Sequence, residues 1–576
     1  MNPAQRQQFK ESTPGSSKRP LPAAFTHTPL VPPPSVSPSS SRLTSFTSPP
    51  LMPALLTSIV EVLGPDTKPT IIQQLALTNL MRPKYSANDA PFDSQDDGWI
   101  QALLASETGS GKTIAYLLPL LQNLKHVERH GPAPPPLNGP ARQHMPRALV
   151  LAPTHELSRQ LASSAKSLSH VAKLRVLCTS RANQPHSGGV GSVLRSMTTI
   201  GERVDPDAEE GEIVITRNAA TMAGLGKPSG PAHPIDVATG TPKGLLEMVR
   251  GNGWERGGEI LRDENGQLIK KWRIGEPTMS VERVEWVVID EADILLDPDF
   301  RDYTLGLLDD IAKARAHVDQ QTHPGALPFH LLLNSATIPG LLNSTIEERW
   351  PRMQRLASPG VHRLPAGMHT QHVRGTGNRM ADVADRIKRI WADDGMNSVE
   401  LSKILVFVNK NTRAAELSSY LSGKGIANIA LTGLSGRVQG SNRHLGNFVK
   451  RDHGSAPLED DGVDVLVTTS LLSRGLDFSP RVRHVLFLDE PRNVVDLLHR
   501  AGRSARAGNE GTLTVFGGKG SRGARDIASR VRALESKPSR NSEPQESEET
   551  PSGTRPYVRR HNPYRDTQNR RPMRHA

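Results

Sequence analysis

The chain of 576 residues holds one cysteine, Cys178, and aromatic residues make up only 4% of it. A single thiol excludes an intrachain disulfide framework and a cysteine-ligated zinc site, and it suits a reducing compartment. No apolar run approaches the ~18 residues of a membrane-spanning helix. Residues 1–50 lack the central apolar block of a secretory signal. Apolar residues account for 36% of the chain. That is low for a chain packed throughout, so tails and inserts take up part of its length. The chain does carry positive charge: 71 Lys and Arg stand against 59 Asp and Glu, a net +12 with a pI near 9.8. This balance favours a polyanionic partner, although plain solubility explains it as well.

Two stretches carry chemistry. Val287-Val288-Ile289 reads as the end of a buried strand, and Asp290-Glu291-Ala292-Asp293 follows where that strand runs out. Ligands of open α/β sheets bind off the carboxyl ends of strands. Asp290 and Glu291 would project into a cleft there, where one can hold a Mg²⁺ shell and the other can face a water. By itself the acidic run also fits a solvated turn. Upstream, Ser106-Glu107-Thr108-Gly109-Ser110-Gly111-Lys112-Thr113 lies between a short apolar strand and an apolar periodic helix. That is the context of a phosphate-binding loop: glycines bare the backbone N–H groups, the helix start adds positive charge, Lys112 reaches β- and γ-phosphates, and Thr113 binds Mg²⁺. The loop decides the reading of the acidic run.

The rest of the chain alternates strands and helices, which argues for parallel sheets with helices on both faces. We expect an α/β protein of two tandem parallel-sheet domains: a tail over 1–45, a first domain over 46–357, a linker over 358–380, a second domain over 381–534 and a basic tail over 535–576. Polar or Gly/Pro-rich inserts are expected at 82–98, 125–146, 202–234 and 251–280. Arg500, Arg503 and Arg506 recur at a spacing of three, expected to share one face near a helix end. Arg555 to Arg574 interleaves seven arginines with Tyr557 and Tyr564, a pattern that suits single-stranded RNA, a basic targeting signal or an inert tail.

Taken in order, these motifs resemble those of DEAD-box ATP-dependent RNA helicases, over roughly Phe46 to Phe516. Ser106–Thr113 resembles that family's first motif, Asp290–Asp293 its name motif, Ser335-Ala336-Thr337 the motif that couples ATP state to RNA state, Thr469–Asp477 its fifth and His499–Gly508 its last. The resemblance implies an ATP site of Phe46, Gln73, residues 106 to 113 and Asp477, with Phe46 stacking on adenine and Gln73 reading its edge. It implies Asp290 and Glu291 as Mg²⁺-supporting and water-activating groups, and Arg503 and Arg506 as γ-phosphate contacts. Asp293, Ser335, Thr337 and His499 are implied to couple the lobes, and Pro153, Thr154, Thr241 and Thr469 to hold the RNA backbone. The resemblance implies two RecA-like lobes; His155, Lys243, Gly244, Ser470, Ser473 and either Leu497 or Leu498 depart from the family pattern, mostly at RNA-facing or inter-lobe positions.

The wording Leu471-Leu472-Ser473-Arg474-Gly475-Leu476-Asp477, the first-lobe inserts and the basic N-terminus are similar to a fungal mitochondrial branch of that family. This implies RNA as partner, mitochondrial ribosome assembly intermediates among the targets, ATP and Mg²⁺ as cofactors, and no obligate oligomer. The N-terminal tail fits a mitochondrial presequence or a plain tail, with a nuclear or nucleolar location as the alternative. An ATP-switched RNA clamp, a DNA helicase of a neighbouring branch and a non-catalytic scaffold are the rival readings. Intact Lys112, Glu291, Arg503 and Arg506 weigh against the scaffold.

Overall fold

A computed structural model describes residues 30–31, 45–47, 51–81, 99–130, 144–180, 235–256, 260–262, 268–271, 274–316, 327–365, 367–397, 400–431, 448, 463–470, 478–506 and 508–517. The strands of the first lobe are β1 (Gln101–Ala105), β2 (Ala148–Leu151), β3 (Val176–Cys178), β4 (Val237–Gly240), β5 (Ile260–Arg262), β6 (Leu268–Lys271), β7 (Trp286–Asp290), β8 (His330–Ser335) and β9 (Gln354–Ala357). Its helices are α1 (Pro53–Leu63), α2 (Ile71–Leu80), α3 (Lys112–His130), α4 (His155–Ser169), α5 (Pro242–Arg250), α6 (Ala292–Leu295), α7 (Arg301–Ala316) and α8 (Gly340–Arg349). The second lobe adds β10 (Met368–Arg374), α9 (Arg379–Met396), β11 (Lys403–Val408), α10 (Asn411–Gly423), β12 (Asn428–Leu431), β13 (Val465–Thr469), β14 (Val482–Phe487), α11 (Val494–Ala501) and β15 (Gly511–Gly517).

Among the described residues the first sheet runs β3-β4-β2-β7-β8-β1-β9 and the second β10-β15-β14-β11-β13-β12. All pairings within these two sheets are parallel. Parallel sheets bury both faces, which is why their strands read as continuous apolar runs. The side-chain period of two then divides each strand between two cores. Val288 and Val150 pack in one apolar cluster while Val287, Ile289, Leu149 and Leu151 pack in another. In the second lobe Leu405 and Phe407 face one cluster and Ile404, Val406 and Val408 the other.

Four expectations change. The stretch 358–380 is not only a connection: β10 lies in it and pairs with β15 along Met368–Arg374. Helix α3 runs to His130, into the stretch expected as a loop from 125. Within 251–280, β5 and β6 form an antiparallel hairpin. Within the expected tail, Leu30 and Val31 are built into the fold, Leu30 pairing with Pro339. The expected inserts at 82–98 and 202–234 and the basic tail from 535 lie outside the described residues.

Candidate nucleotide site between the lobes

The carboxyl ends of the first-lobe strands converge. β1 pairs with β8 so that Ala105 lies opposite Ser335, and β7 pairs with β8 so that Asp290 lies opposite Asn334. The phosphate loop, the acidic run and the Ser335–Thr337 turn therefore leave adjacent strands. Ser106 N donates to Ser335 O at 3.2 Å, which ties two of these segments directly.

In the loop, Gly109 and Gly111 take φ of +81° and +82°, a region that glycine enters without steric cost. Lys112 Nζ donates to Ser106 O at 2.7 Å and Glu107 O at 2.9 Å, so the side chain arches over the loop. Burial lowers its pKa, against the pull of Glu291, Asp290 and Glu107. Ser110 Oγ is buried without a hydrogen-bond partner, as suits a loop whose donors face an anion. Glu107 turns away from that anion space: its Oε2 accepts from Ser358 Oγ at 2.8 Å and from Ser106 Oγ at 3.1 Å.

Asp290 is buried and fully engaged. Oδ2 accepts from Tyr116 OH at 3.1 Å, and Oδ1 accepts from Glu291 N at 3.0 Å and from Asn334 Nδ2. Burial first, then the Glu291 charge, raises its pKa to about 6, against Asn334, Lys112 and Tyr116. Two adjacent buried carboxylates of this kind suit a divalent cation, which offsets both burial and repulsion. Glu291 sits in the left-handed region, φ 53° and ψ 53°, a costly conformation for a residue with a Cβ. It turns the side chain out of the strand direction toward the second lobe.

There the two lobes meet. Glu291 Oε1 lies 3.9 Å from Arg503 Nη2, and Glu291 Oε2 lies 3.8 Å from His499 Nδ1. Oε2 and Nδ1 are buried without a hydrogen-bond partner. Asp293 Oδ2 accepts from Thr337 Oγ1 at 2.5 Å and contacts His499 Nε2 at 2.7 Å. Ser335 Oγ donates to Thr337 O at 2.7 Å. Closeness at the seam is also read from glycine: a Cβ on Gly502 would meet Thr108 Oγ1 at 1.8 Å, and one on Gly109 would meet Arg506 Cγ at 3.0 Å.

The three arginines do not share a face. Helix α11 ends at Ala501, and Arg503 and Arg506 lie beyond it. Arg500 points into the second lobe, bound to Asp496 at 2.7 Å, Ser470 Oγ at 2.8 Å and Asp489 O at 3.1 Å. Gln73 is also turned inward, 3% exposed. Its Oε1 accepts from Thr70 N at 2.9 Å and its Nε2 donates to Gly111 O at 3.2 Å, so in this structure its amide holds a helix cap to the loop. Phe46 is 6% exposed and packed in the first-lobe core, its ring covered rather than presented. Asp477 and Ser473 lie outside the described residues.

On the expected RNA side, β2 and β4 are neighbours with Leu151 opposite Gly240, so α4 and α5 begin side by side. Thr154 caps α4 by accepting from Leu157 N at 3.2 Å, and Thr241 caps α5 by accepting from Gly244 N at 3.3 Å. Two adjoining helix starts favour phosphate oxygens. Pro153 is buried, so it supports this edge rather than lining it, and Thr469 is half-buried at the end of β13. Lys243 Nζ is held by Glu255 at 2.8 Å.

Tyr116, Asn334, Ser358 and His362 were not singled out from sequence. Tyr116 follows Lys112 by one helical turn, a legible spacing. Asn334 required the register of β7 with β8.

The fold and site define a two-lobe protein with RecA-like sheets whose candidate site is split across a seam. The family model for DEAD/DEAH box helicases matches residues 71–191, and that for the helicase conserved C-terminal domain matches 387–508. The mitochondrial ATP-dependent RNA helicase MRH4 of Cryptococcus neoformans var. neoformans serotype D (strain B-3501A) is 32% identical over 505 residues, 80% of this chain and 81% of that protein. MRH4 of Pyricularia oryzae is 27% identical over 81% of this chain and 69% of that protein. Among solved structures, Mss116 bound to single-stranded RNA and UDP-BeF aligns with a TM-score of 0.53 at 18% identity, covering 83% of this chain and 76% of that one. S. cerevisiae Dbp5 bound to RNA and ADP BeF3 aligns with a TM-score of 0.51 at 18% identity, covering 85% and 93%. At such identity these two show the fold. The chain belongs to the DEAD-box family of ATP-dependent RNA helicases.

Proposed function

We propose that this protein couples ATP hydrolysis to local remodelling of RNA duplexes or RNA–protein contacts in mitochondrial RNA or ribosome metabolism. The observation that carries the reading is the seam, where Asp293 of the first lobe holds Thr337 on one side and His499 of the second lobe on the other. Hydrolysis parts on separate lobes act together only when the lobes meet, so ATP and RNA can gate the reaction jointly. The mitochondrial setting rests on the names of the MRH4 relatives.

The phosphate loop and Lys112 take the polyphosphate. Thr113 and Asp290 would hold Mg²⁺, which when bound would neutralise charge on the phosphates. Glu291 orients the attacking water and accepts its proton, with its unpartnered Oε2 turned to the seam. Arg503 and Arg506 stabilise charge that develops on the transferred phosphoryl group, the role of an arginine finger. Thr154, Thr241 and Thr469 contact the RNA backbone. Such contacts carry no base sequence, so recognition tolerates many sequences.

The test is steady-state ATPase of the purified chain without nucleic acid, with single-stranded RNA and with matched DNA. Stimulation by RNA and not DNA supports the reading; equal rates in all three reject it. A clamp that grips RNA and hydrolyses slowly is the second reading. It is favoured by Lys243 being tied to Glu255 and Ser470 to Arg500. Strand displacement in step with hydrolysis separates the two.

A further inference from the structure

The seam described above is built from residues between Ser106 and Arg506, and the family models match 71–191 and 387–508. One contact to it comes from upstream. Val31 N donates to Ile338 O at 2.9 Å, and Leu30 forms an antiparallel bridge with Pro339. Ile338 directly follows the Ser335–Thr337 turn and is 1% exposed. The two strap residues face different lobes. Val31 packs against the first-lobe cluster that contains Ile338 and Leu342. Leu30 packs against the cluster that contains Leu364, Met368 and Leu405, which fills the second lobe.

Ile338 is gripped from its other side as well. Its N–H donates to His362 Nε2 at 2.8 Å. His362 belongs to the connection between the lobes and holds φ of +64°. Its pKa is lowered to about 4, chiefly by burial, which keeps the ring nitrogen an acceptor at neutral pH. The backbone of Ile338 is therefore fixed by the upstream segment through its carbonyl and by the connection through its amide. One residue before it, Thr337 holds Asp293, and Asp293 holds His499 across the seam.

We propose that Leu30 and Val31 are positioning residues for coupling: they strap both lobes at the chain that follows Thr337 and favour the arrangement in which His499 meets Asp293. The inference rests on the proposed two-lobe ATPase. A contact available only when the lobes meet shifts the population toward that arrangement, by no more than its own differential free energy. RNA then has less to supply. Loss of one backbone hydrogen bond and one apolar contact should raise the RNA concentration needed for closure by roughly three- to tenfold. Turnover at saturating RNA should be nearly unchanged, because neither residue touches the nucleotide site.

The experiment uses the full chain with one dye on each lobe, titrated with single-stranded RNA in the presence of AMP-PNP. Val31→Pro removes the N–H that Ile338 accepts, and Leu30→Asp removes the second-lobe contact. Val31→Ala and Leu30→Ile retain them. We expect the first pair to raise the closure midpoint three- to tenfold and the second pair to stay near the parent. In steady-state ATPase the first pair should raise the KM for RNA with kcat within about twofold. Midpoints of Val31→Pro and Leu30→Asp within a factor of two of the parent overturn the proposal. So does a mature protein whose N-terminus lies beyond Val31. The midpoint needs no hydrolysis: a parent that closes on RNA without turning over ATP refutes the ATPase reading and still reports on the strap.

Discussion

His499 Nε2 lies 2.7 Å from Asp293 Oδ2, across 206 residues of sequence and across the seam between the two lobes. The same carboxylate oxygen accepts from Thr337 Oγ1. One atom thus joins the acidic run, the turn after β8 and the last motif of the second lobe. His499→Ala should uncouple RNA from hydrolysis. We expect RNA stimulation to fall at least tenfold while ATP affinity stays within about threefold, read by nucleotide binding and ATPase on one preparation. Full stimulation in the variant would remove the seam from the mechanism.

Glu291 Oε2 is buried without a hydrogen-bond partner and lies 3.8 Å from His499 Nδ1 at the seam. Glu291→Gln keeps the volume and removes the proposed base. General-base loss costs roughly 10²–10⁴ in rate, so single-turnover hydrolysis should fall by at least about a hundredfold. Nucleotide binding should persist. Undiminished turnover would reassign the base.

Arg500 and Arg503 differ by three residues and should fail differently. Arg503→Ala should lower kcat by roughly 10³-fold or more, the loss typical of an arginine finger, with the fold intact. Arg500→Ala should unfold the second lobe sooner. Burial pushes the Asp496 carboxyl up, but Arg500, Ser470 and the Arg492 N–H overcome this and hold it below its ordinary value. Removing Arg500 strands that charge inside, at a cost of about 3–5 kcal/mol. Thermal melting separates the two, and equal melting temperatures would contradict the buried pairing.

Gly111 combines a positive φ with a neighbour. An added Cβ would lie 2.4 Å from Gln73 Nε2. Gly111→Ala should displace Gln73, distort the loop and raise the KM for ATP at least tenfold. Gly377, at φ +114° with nothing within 4 Å, is the control. Alanine there should cost about 1 kcal/mol of stability through the backbone alone and leave the KM for ATP unchanged.

Two histidines set an acid limit on stability. Burial first, and for His484 nearby arginines as well, lowers His362 and His484 to about 4. Their ordinary value is 6.5. Between these pH values the unfolded chain binds more protons than the folded one, so stability rises with pH. The contribution is complete above about 6.5 and is lost as pH falls toward 4. Melting temperature should drop across that window, and His484→Gln should flatten the drop for the second lobe. A flat profile in the parent would show that these rings are solvated.

Much of the fold was legible because the rules that wrote it are local. Val287-Val288-Ile289 and Ile404-Leu405-Val406-Phe407-Val408 announce strands buried on both faces, and the spacing of glycines before Lys112 announces a phosphate loop. Other elements were illegible for definite reasons. Met368–Arg374 alternates polar residues at a sheet edge and reads as a linker; its partner β15 lies more than a hundred residues on. Helical spacing put Arg500, Arg503 and Arg506 on one face, but α11 stops at Ala501, and the chain beyond it follows other geometry. Gln73 reads as an exposed helix-start amide until α2 and the loop are packed together.

By itself the sequence determined which chemical groups this protein owns and on which type of element each stands, since loop glycines, caps and apolar periods act over a few residues. Only the tertiary structure decided which groups meet. Asp290 finds Asn334 through strand register, Asp293 finds His499 through the approach of two lobes, and Val31 finds Ile338 through an upstream segment that returns to the seam. Those meetings depend on contacts between residues tens to hundreds of positions apart, whose energies exist only once the sheets are built and, for the seam, brought together.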